Sequence, residues 1–350
     1  MKPGIIALTL SPAWDLTIGL GELVPGTSHR VEAAVGQLGG KGVNVARVLA
    51  ALGIDVWAQA PVPTDLWPQA SGPGGLVWDL TATPSPLRRS YALVEDSSRA
   101  TVFNERCHPH PAEVWARLRD RVMQRLSEPT VRVLAISGSM PSDAPKNLVA
   151  ELISEAHSAG VQVIVDTSGP ALFEAARAGA DWVKPNDEEL AALSPGAGWA
   201  TSARQLVERG VRNVLVSRGA EGMTLIDSTG PRLSARLPAP VAGNPTGAGD
   251  ASVAALAWQL REIAADGAAF RTGSGVRESL SDEAVRTILV SAVGLSASAV
   301  LMPRAGQIHP SWPELRDRVH ISVPQVRLPT PQAVPPGLQP SATTRPPDQE

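Results

Sequence analysis

Cysteine is almost missing from this chain: Cys107 is the only one among 350 residues. That excludes an internal disulfide framework and any cysteine-built zinc site. It suits a reducing compartment, and a cytoplasmic protein is expected. A surplus of positive charge is missing as well. The formal net charge is -3, so no electrostatic case exists for nucleic acid or an anionic membrane as partner. The tryptophans are scattered and form no array on which bases could stack. No apolar run has the length of a membrane span; the nearest, 289–302, is rich in Ser, Ala and Gly. The opening "MKPGIIALTLSPAWDL" meets Pro12 and Asp15 before a signal-peptide pattern is complete. Lysine is scarce too. It stands only at Lys2, Lys41, Lys146 and Lys184, while arginine carries the rest of the positive charge. A lysine inside a glycine-rich turn therefore stands out.

What is present is an alternation of short apolar runs with amphipathic stretches. Strands are expected at 5–10, 54–60, 131–137, 161–166, 181–183 and 211–217. Helices are expected at 42–53, 112–126, 144–158, 170–178, 187–193 and 201–209. Strands alternating with helices predict βαβ units and a mainly parallel sheet with helices on both faces. "GMTLID" and "PRLSARL" predict an antiparallel pair at the sheet edge, followed by helices 248–262, 281–300 and 310–318. "SYALVE" and "ATVFNE" around "DSSR" predict a hairpin. Segments 13–35 and 88–105 stand outside the βαβ pattern and have the length of a small β-lid. The Pro- and Gly-interrupted "PVPTDLWPQASGPGG" (61–75) receives no element. One domain over 1–320 and a proline-rich disordered tail over 321–350 complete the organisation.

Chemistry concentrates in four stretches. "NPTGAGDASVAAL" (244–256) runs a glycine turn into a helix, where unsatisfied backbone N–H groups can hold an anion. Asp250, beside that turn, could take a proton from an attacking hydroxyl. Read alone, the same residues serve equally well as a capped glycine turn. "GQLGGKGVNVARVLAALG" (36–53) sets Gly39, Gly40 and Lys41 before another helix, with a point charge suited to phosphate. Asn44, inside that helix, offers a donor and an acceptor to sugar hydroxyls. "VKPNDEEL" (183–190) lies at a strand's C-terminal end, where Lys184, Asn186 and Glu189 could meet a metal-bound polyphosphate. A Pro-broken strand end with an acidic helix start explains that stretch as well. "VSRGAEG" (216–222) is a further strand end followed by a glycine turn.

In this order the four stretches resemble the ribokinase-like (PfkB) carbohydrate kinase family, over roughly residues 4–318. Within it, "TLSPAWDLTI", "SGSMPSD" and "VDTSG" are similar to the branch that phosphorylates phosphorylated ketohexoses. That branch includes 1-phosphofructokinases, tagatose-6-phosphate kinases and a minor type of 6-phosphofructokinase. The resemblance implies Asp250 as catalytic base and Gly247, Ala248 and Gly249 as the anion hole. Asp15, Gly39, Gly40, Lys41 and Asn44 would hold the sugar, and Arg88 its phosphate. Lys184, Asn186, Ser217, Gly219, Gly222 and Thr246 would border ATP, while Asn186 and Glu189 would act on Mg²⁺ through water. Fructose-1-phosphate is the first substrate expected, with tagatose-6-phosphate second and a free sugar or nucleoside third. A non-catalytic sugar-phosphate sensor is the rival of another class. A homodimer formed through the lid is the expected assembly.

Several positions depart from that pattern. Ser11 stands where the branch usually has Asn, and Asn244-Pro245 replaces an acidic lead into the glycine turn. Segment 61–75 is a poor helix where the family has one, because proline costs about 3 kcal/mol inside a helix. Cys107 replaces a common glycine near the lid. His108 and His110 flank Pro109 and offer only two ligands, which reads as a loop pair rather than a metal site.

Overall fold

The computed structural model describes residues 4–67, 73–265 and 279–324. Its centre is a ten-stranded sheet. In spatial order the strands are His320–Ser322, Gly230–Arg236, Met223–Asp227, Asn213–Ser217, Trp182–Val183, Gln162–Asp166, Val133–Ser137, Ile5–Thr9, Val56–Gln59 and Leu76–Trp78. The seven from Asn213–Ser217 to Leu76–Trp78 pair in parallel, and the remaining three pair antiparallel at one edge.

Strand periodicity explains the layers. Ile5 and Ala7 face one core with Val133, Ala135 and Ile164, while Ile6 and Leu8 face the other with Leu134, Ile136 and Val163. A sheet buried on both faces needs apolar residues in nearly every position, which is why these strands read as continuous runs. The first face is covered by helices Lys41–Ala51, Ala248–Ala265 and Asp282–Val300. Ala112–Leu126, Leu148–Ser158, Pro170–Arg177 and Trp199–Glu208 cover the second. Among the described residues, Asp282–Val300 is long and apolar enough to cross a membrane by length and composition. In the fold it is a core helix, with Val285, Ile288, Leu289, Ala292 and Leu295 fully buried.

A separate four-stranded sheet, in the order Val35–Gly39, Ala13–Leu20, Arg88–Glu95, Ala100–Asn104, forms the lid over the sheet's C-terminal end. Its last two strands are the expected hairpin. Two expectations need revision. Segment 61–75 forms a short strand, Pro61–Val62, and 3₁₀ turns at Thr64–Leu66 and Pro73–Gly75, with no α-helix among its described residues. It then leads into the edge strand Leu76–Trp78, which is not among the expected strands. The tail boundary at 321 cuts through a strand: Ser322 pairs with Ser234 and His320 with Arg236. Ladder hydrogen bonds supply there what the few apolar residues do not. The rest of the expected tail, 325–350, lies outside the described residues.

Helices Ala248–Ala265 and Asp282–Val300 pack along each other and form the floor of the first core. Leu289→Ala, at a fully buried position of that floor, should therefore destabilise the chain by about 2–5 kcal/mol. Urea unfolding checks this, with a lowered midpoint at unchanged m-value expected.

Candidate active site

A cleft of about 1390 Å³ lies between the lid and the C-terminal ends of the parallel strands. Two helix starts form its floor. Gly40, with φ of 100°, turns the chain into helix Lys41–Ala51, where a Cβ on Gly42 would lie 2.4 Å from Thr9 Oγ1. Only glycine lets this helix begin so close to the first strand. At the second start, Gly247 has φ of 91° and leads into helix Ala248–Ala265. Asn244 holds that turn from below, accepting from the Thr246 N–H at 3.0 Å and donating to the Pro303 carbonyl at 3.0 Å. It is thus a structural substitute for the acidic lead.

Asp250 sits in the first turn of the second helix and is buried. Asn44, from the first helix, donates to its Oδ2 at 2.9 Å. This bond ties together residues 206 positions apart. Burial pushes the Asp250 carboxyl up to about 6; Lys41 opposes that rise and Asp166 adds to it. Asp166 joins the site without being among the residues expected there. It ends strand Gln162–Asp166, is almost fully buried, and lies 3.5 Å from Lys41 Nζ and 3.7 Å from Lys184 Nζ. Its signal was the "VDTSG" already noted, a carboxylate closing an apolar strand at the end where α/β folds place ligands. Asp166, ahead of Asp250 and Glu189, holds the Lys41 ammonium well above the ordinary lysine range, against the opposing pull of burial. The two scarce lysines that stood out in the sequence thus flank one carboxylate.

The other expected residues distribute along the same cleft. Asn186 and Glu189 lock each other: Glu189 N–H donates to Asn186 Oδ1 at 2.7 Å, and Asn186 N–H to Glu189 Oε2 at 2.9 Å. This capping box fixes helix Asp187–Leu193 and leaves Glu189 Oε1 at 4.0 Å from Lys41 Nζ. Ser217 and Gly219 line the cleft beside them, as do Thr246, Ala248 and Gly249. On the lid side Asp15 accepts from the Gly40 N–H at 3.4 Å, and burial raises its carboxyl. Arg88 completes the lining at that end.

Two expected residues do not line the cleft. A Cβ on Gly222 would lie 1.9 Å from the Ala235 carbonyl, so this glycine serves the turn into the edge hairpin. Gly39 packs on Asp15, whose Oδ2 would meet a Cβ there at 2.0 Å. The N–H of Ala248 turns back to the Pro245 carbonyl at 3.2 Å. His110 is a buried core histidine, hydrogen-bonded to Thr83 at 2.9 Å and edge-on to Trp115. Among the described residues no group of three or more His, Cys, Asp or Glu could cage a metal.

The pfkB family carbohydrate kinase profile matches residues 118–280. A 1-phosphofructokinase of Xanthomonas campestris pv. campestris is 33% identical over 282 residues, which are 75% of this chain and 85% of the relative. The chain belongs to the pfkB family of carbohydrate kinases. The ATP-dependent 6-phosphofructokinase isozyme 2 of Escherichia coli is 31% identical, covering 74% of this kinase and 86% of the relative. Phosphofructokinase-2 from Escherichia coli, solved in complex with fructose-6-phosphate, superposes with a TM-score of 0.68 at 25% identity. That match covers 91% of this kinase and 99% of the solved chain. The fold is ribokinase-like, and the chain is an ATP-dependent sugar kinase.

The raised Asp250 carboxyl has a consequence for stability. A carboxyl that titrates at about 6 when folded and near about 3.9 when unfolded binds its proton more tightly in the folded state. Its contribution to stability is full at acid pH and is lost as pH climbs through that window. Asp250→Asn should therefore unfold at higher denaturant than the parent at pH 8, by on the order of 3 kcal/mol. The gap should close below about pH 4. Paired urea titrations at the two pH values check it, and equal midpoints at pH 8 would contradict the burial argument.

Proposed function

We propose that this kinase transfers the γ-phosphoryl group of ATP to a hydroxyl of a phosphorylated ketohexose, with fructose-1-phosphate as substrate and fructose-1,6-bisphosphate as product. The observation that carries the reading is one cleft holding a buried carboxylate, two lysines and a lid arginine, in a chain 33% identical to a 1-phosphofructokinase. The substrate oxygen attacks the γ-phosphorus, the bond to the β-phosphate oxygen breaks, and ADP leaves. Asp250 accepts the hydroxyl proton, and a carboxyl at about 6 is ionised yet basic at neutral pH.

Asp15, Gly40, Lys41 and Asn44 hold the sugar in this reading, with Gly39 backing Asp15 from behind, and Arg88 takes its existing phosphate. The helix start at Gly247 and Gly249 would meet the developing charge with its backbone N–H groups, the Ala248 N–H being taken by the Pro245 carbonyl. Lys184, Asn186, Ser217, Gly219 and Thr246 border the nucleotide. Closure of the lid keeps water from taking the phosphoryl group. The residues present also fit Mg²⁺. Asp166 lines the cleft and keeps both carboxylate oxygens buried with no hydrogen bond, oxygen donors of the kind that suit a hard ion and its water shell. When bound, that ion offsets charge on the β- and γ-phosphate oxygens; Asp166, Asn186 and Glu189 would hold its waters.

Fructose-6-phosphate is the second reading, favoured by the 31% identity to a 6-phosphofructokinase isozyme. The test is ADP release against fructose-1-phosphate, fructose-6-phosphate, tagatose-6-phosphate, fructose, tagatose and ribose. Turnover should centre on fructose-1-phosphate, with kcat/KM rising as pH passes about 6 and level above it. Asp250→Asn should lose about 10²–10⁴-fold in kcat and keep substrate binding. Turnover with free sugars alone would overturn the phosphate role of Arg88, and binding without any turnover would favour a sugar-phosphate sensor.

The assembly we propose is a homodimer through the lid, in a cytoplasmic enzyme. Strand Ala100–Asn104 is an edge of the lid sheet and exposes Val102 and Phe103 at 42% and 55%. An open edge with apolar side chains invites pairing. Phe103→Glu should shift a dimer to a monomer in sedimentation, whereas a parent that sediments as a monomer would exclude the lid contact.

A further inference from the structure

Ser11 follows the first strand and is 1% exposed. It is absent from the lining of the cleft, but Arg88, which lines it, is bound to it twice. Arg88 Nε donates to Ser11 Oγ at 3.0 Å, and Nη2 donates to the Ser11 carbonyl at 3.3 Å. A third bond, from Nη1 to Asn104 Oδ1 at 3.3 Å, reaches across to the last lid strand. These bonds engage Nε and one N–H on each terminal nitrogen. Each terminal nitrogen therefore keeps a second N–H. A guanidinium held in this way presents a fixed pair of donors of the kind that grips phosphate bidentately.

We propose that Ser11 is a positioning residue that fixes the Arg88 guanidinium and so sets the preference of the cleft for a phosphorylated over an unphosphorylated ketohexose. The proposal rests on the phosphate role given to Arg88 above. Ser11 itself touches no substrate. Without its hydroxyl, Arg88 loses the Nε anchor, keeps only a backbone oxygen and a lid side chain, and must be ordered by the ligand at an entropic cost.

Kinetics provide the first test. Ser11→Ala should raise KM for the phosphorylated ketohexose about tenfold, with kcat within about twofold of the parent and KM for free fructose unmoved. Ser11→Thr, which keeps the hydroxyl, should restore KM. An unchanged KM in Ser11→Ala, a parallel rise for both sugars, or a Thr variant no better than Ala would each overturn the proposal. Should Ser11→Ala not fold, Asn104→Ala removes the third anchor from the exposed side and should raise the same KM selectively; an unmoved KM there counts against the clamp.

A second readout needs no turnover. Cys107, the only cysteine of the chain, lines the cleft and lies against Ser11 and Arg88. Burial pushes its thiol up, so alkylation is followed at alkaline pH. Inorganic phosphate should slow alkylation of Cys107 in the parent, with the protecting concentration about tenfold higher in Ser11→Ala. Absence of protection in the parent, or equal protection in both, would overturn the proposal. A parent protected by phosphate that phosphorylates no phosphorylated ketohexose would instead sink the substrate reading and leave the Ser11–Arg88 anchor standing.

Discussion

The site depends on one electrostatic constraint: two carboxylates buried at the end of a parallel sheet, with two ammonium groups set between and beside them. Asp166 alone, at about 1% exposure, would be prohibitively costly to desolvate as an anion. Lys41 and Lys184 at 3.5 and 3.7 Å make its burial tolerable. That arrangement also governs Asp250. The lysines pull its proton affinity down, Asp166 and burial push it up, and the balance lies at about 6. With no cationic neighbours this carboxyl would hold its proton more tightly, and with no acidic neighbour it would be a weaker base.

Supporting this group of charges is mainly a matter of backbone approach. The helix that Lys41 opens starts within van der Waals reach of the first strand, and the one that carries Asp250 starts where Gly247 meets Ala305, so each is preceded by a glycine. Helix Ala248–Ala265 buries Ala251, Ala254, Ala255 and Ala257, and such side chains let it lie close to the strands it covers. The Asn44–Asp250 bond then spans the two helix starts directly. In the proposed reaction rigidity at this point serves chemistry, since a proton acceptor must be in place before the hydroxyl arrives.

Much of this was legible in the sequence, because the features that carry it are local. Gly-Gly-Lys-Gly and Gly-Ala-Gly-Asp each announce a helix start with a charge beside it, and continuous apolar runs announce a sheet covered on both faces. Asp166 was not legible in the same way. Its role comes from two lysines that are 125 and 18 positions away and approach only in the fold. The strand Leu76–Trp78 escaped because three residues after a Pro-Gly stretch show no periodicity, and His320–Ser322 because a strand that short is made by its partner. Gly222 shows the converse error. A glycine in a motif was read as approaching a nucleotide, whereas the backbone it approaches is the carbonyl of Ala235.

The departures from the family pattern follow the same division. Asn244 replaces an acidic residue yet keeps an oxygen for the Thr246 N–H, so the turn retains its acceptor without adding a further carboxylate to the cleft. Fewer negative charges beside a base that already titrates near 6 leave it ionised at neutral pH, since each further anion would raise its proton affinity. At the lid, Ser11 accepts from the Arg88 guanidinium through its hydroxyl and its carbonyl, with Cys107 beside both. Under the roles proposed for Asp250 and Arg88, these substitutions act on two quantities a phosphoryl-transfer site must hold steady, the charge around its base and the orientation of its phosphate-binding cation.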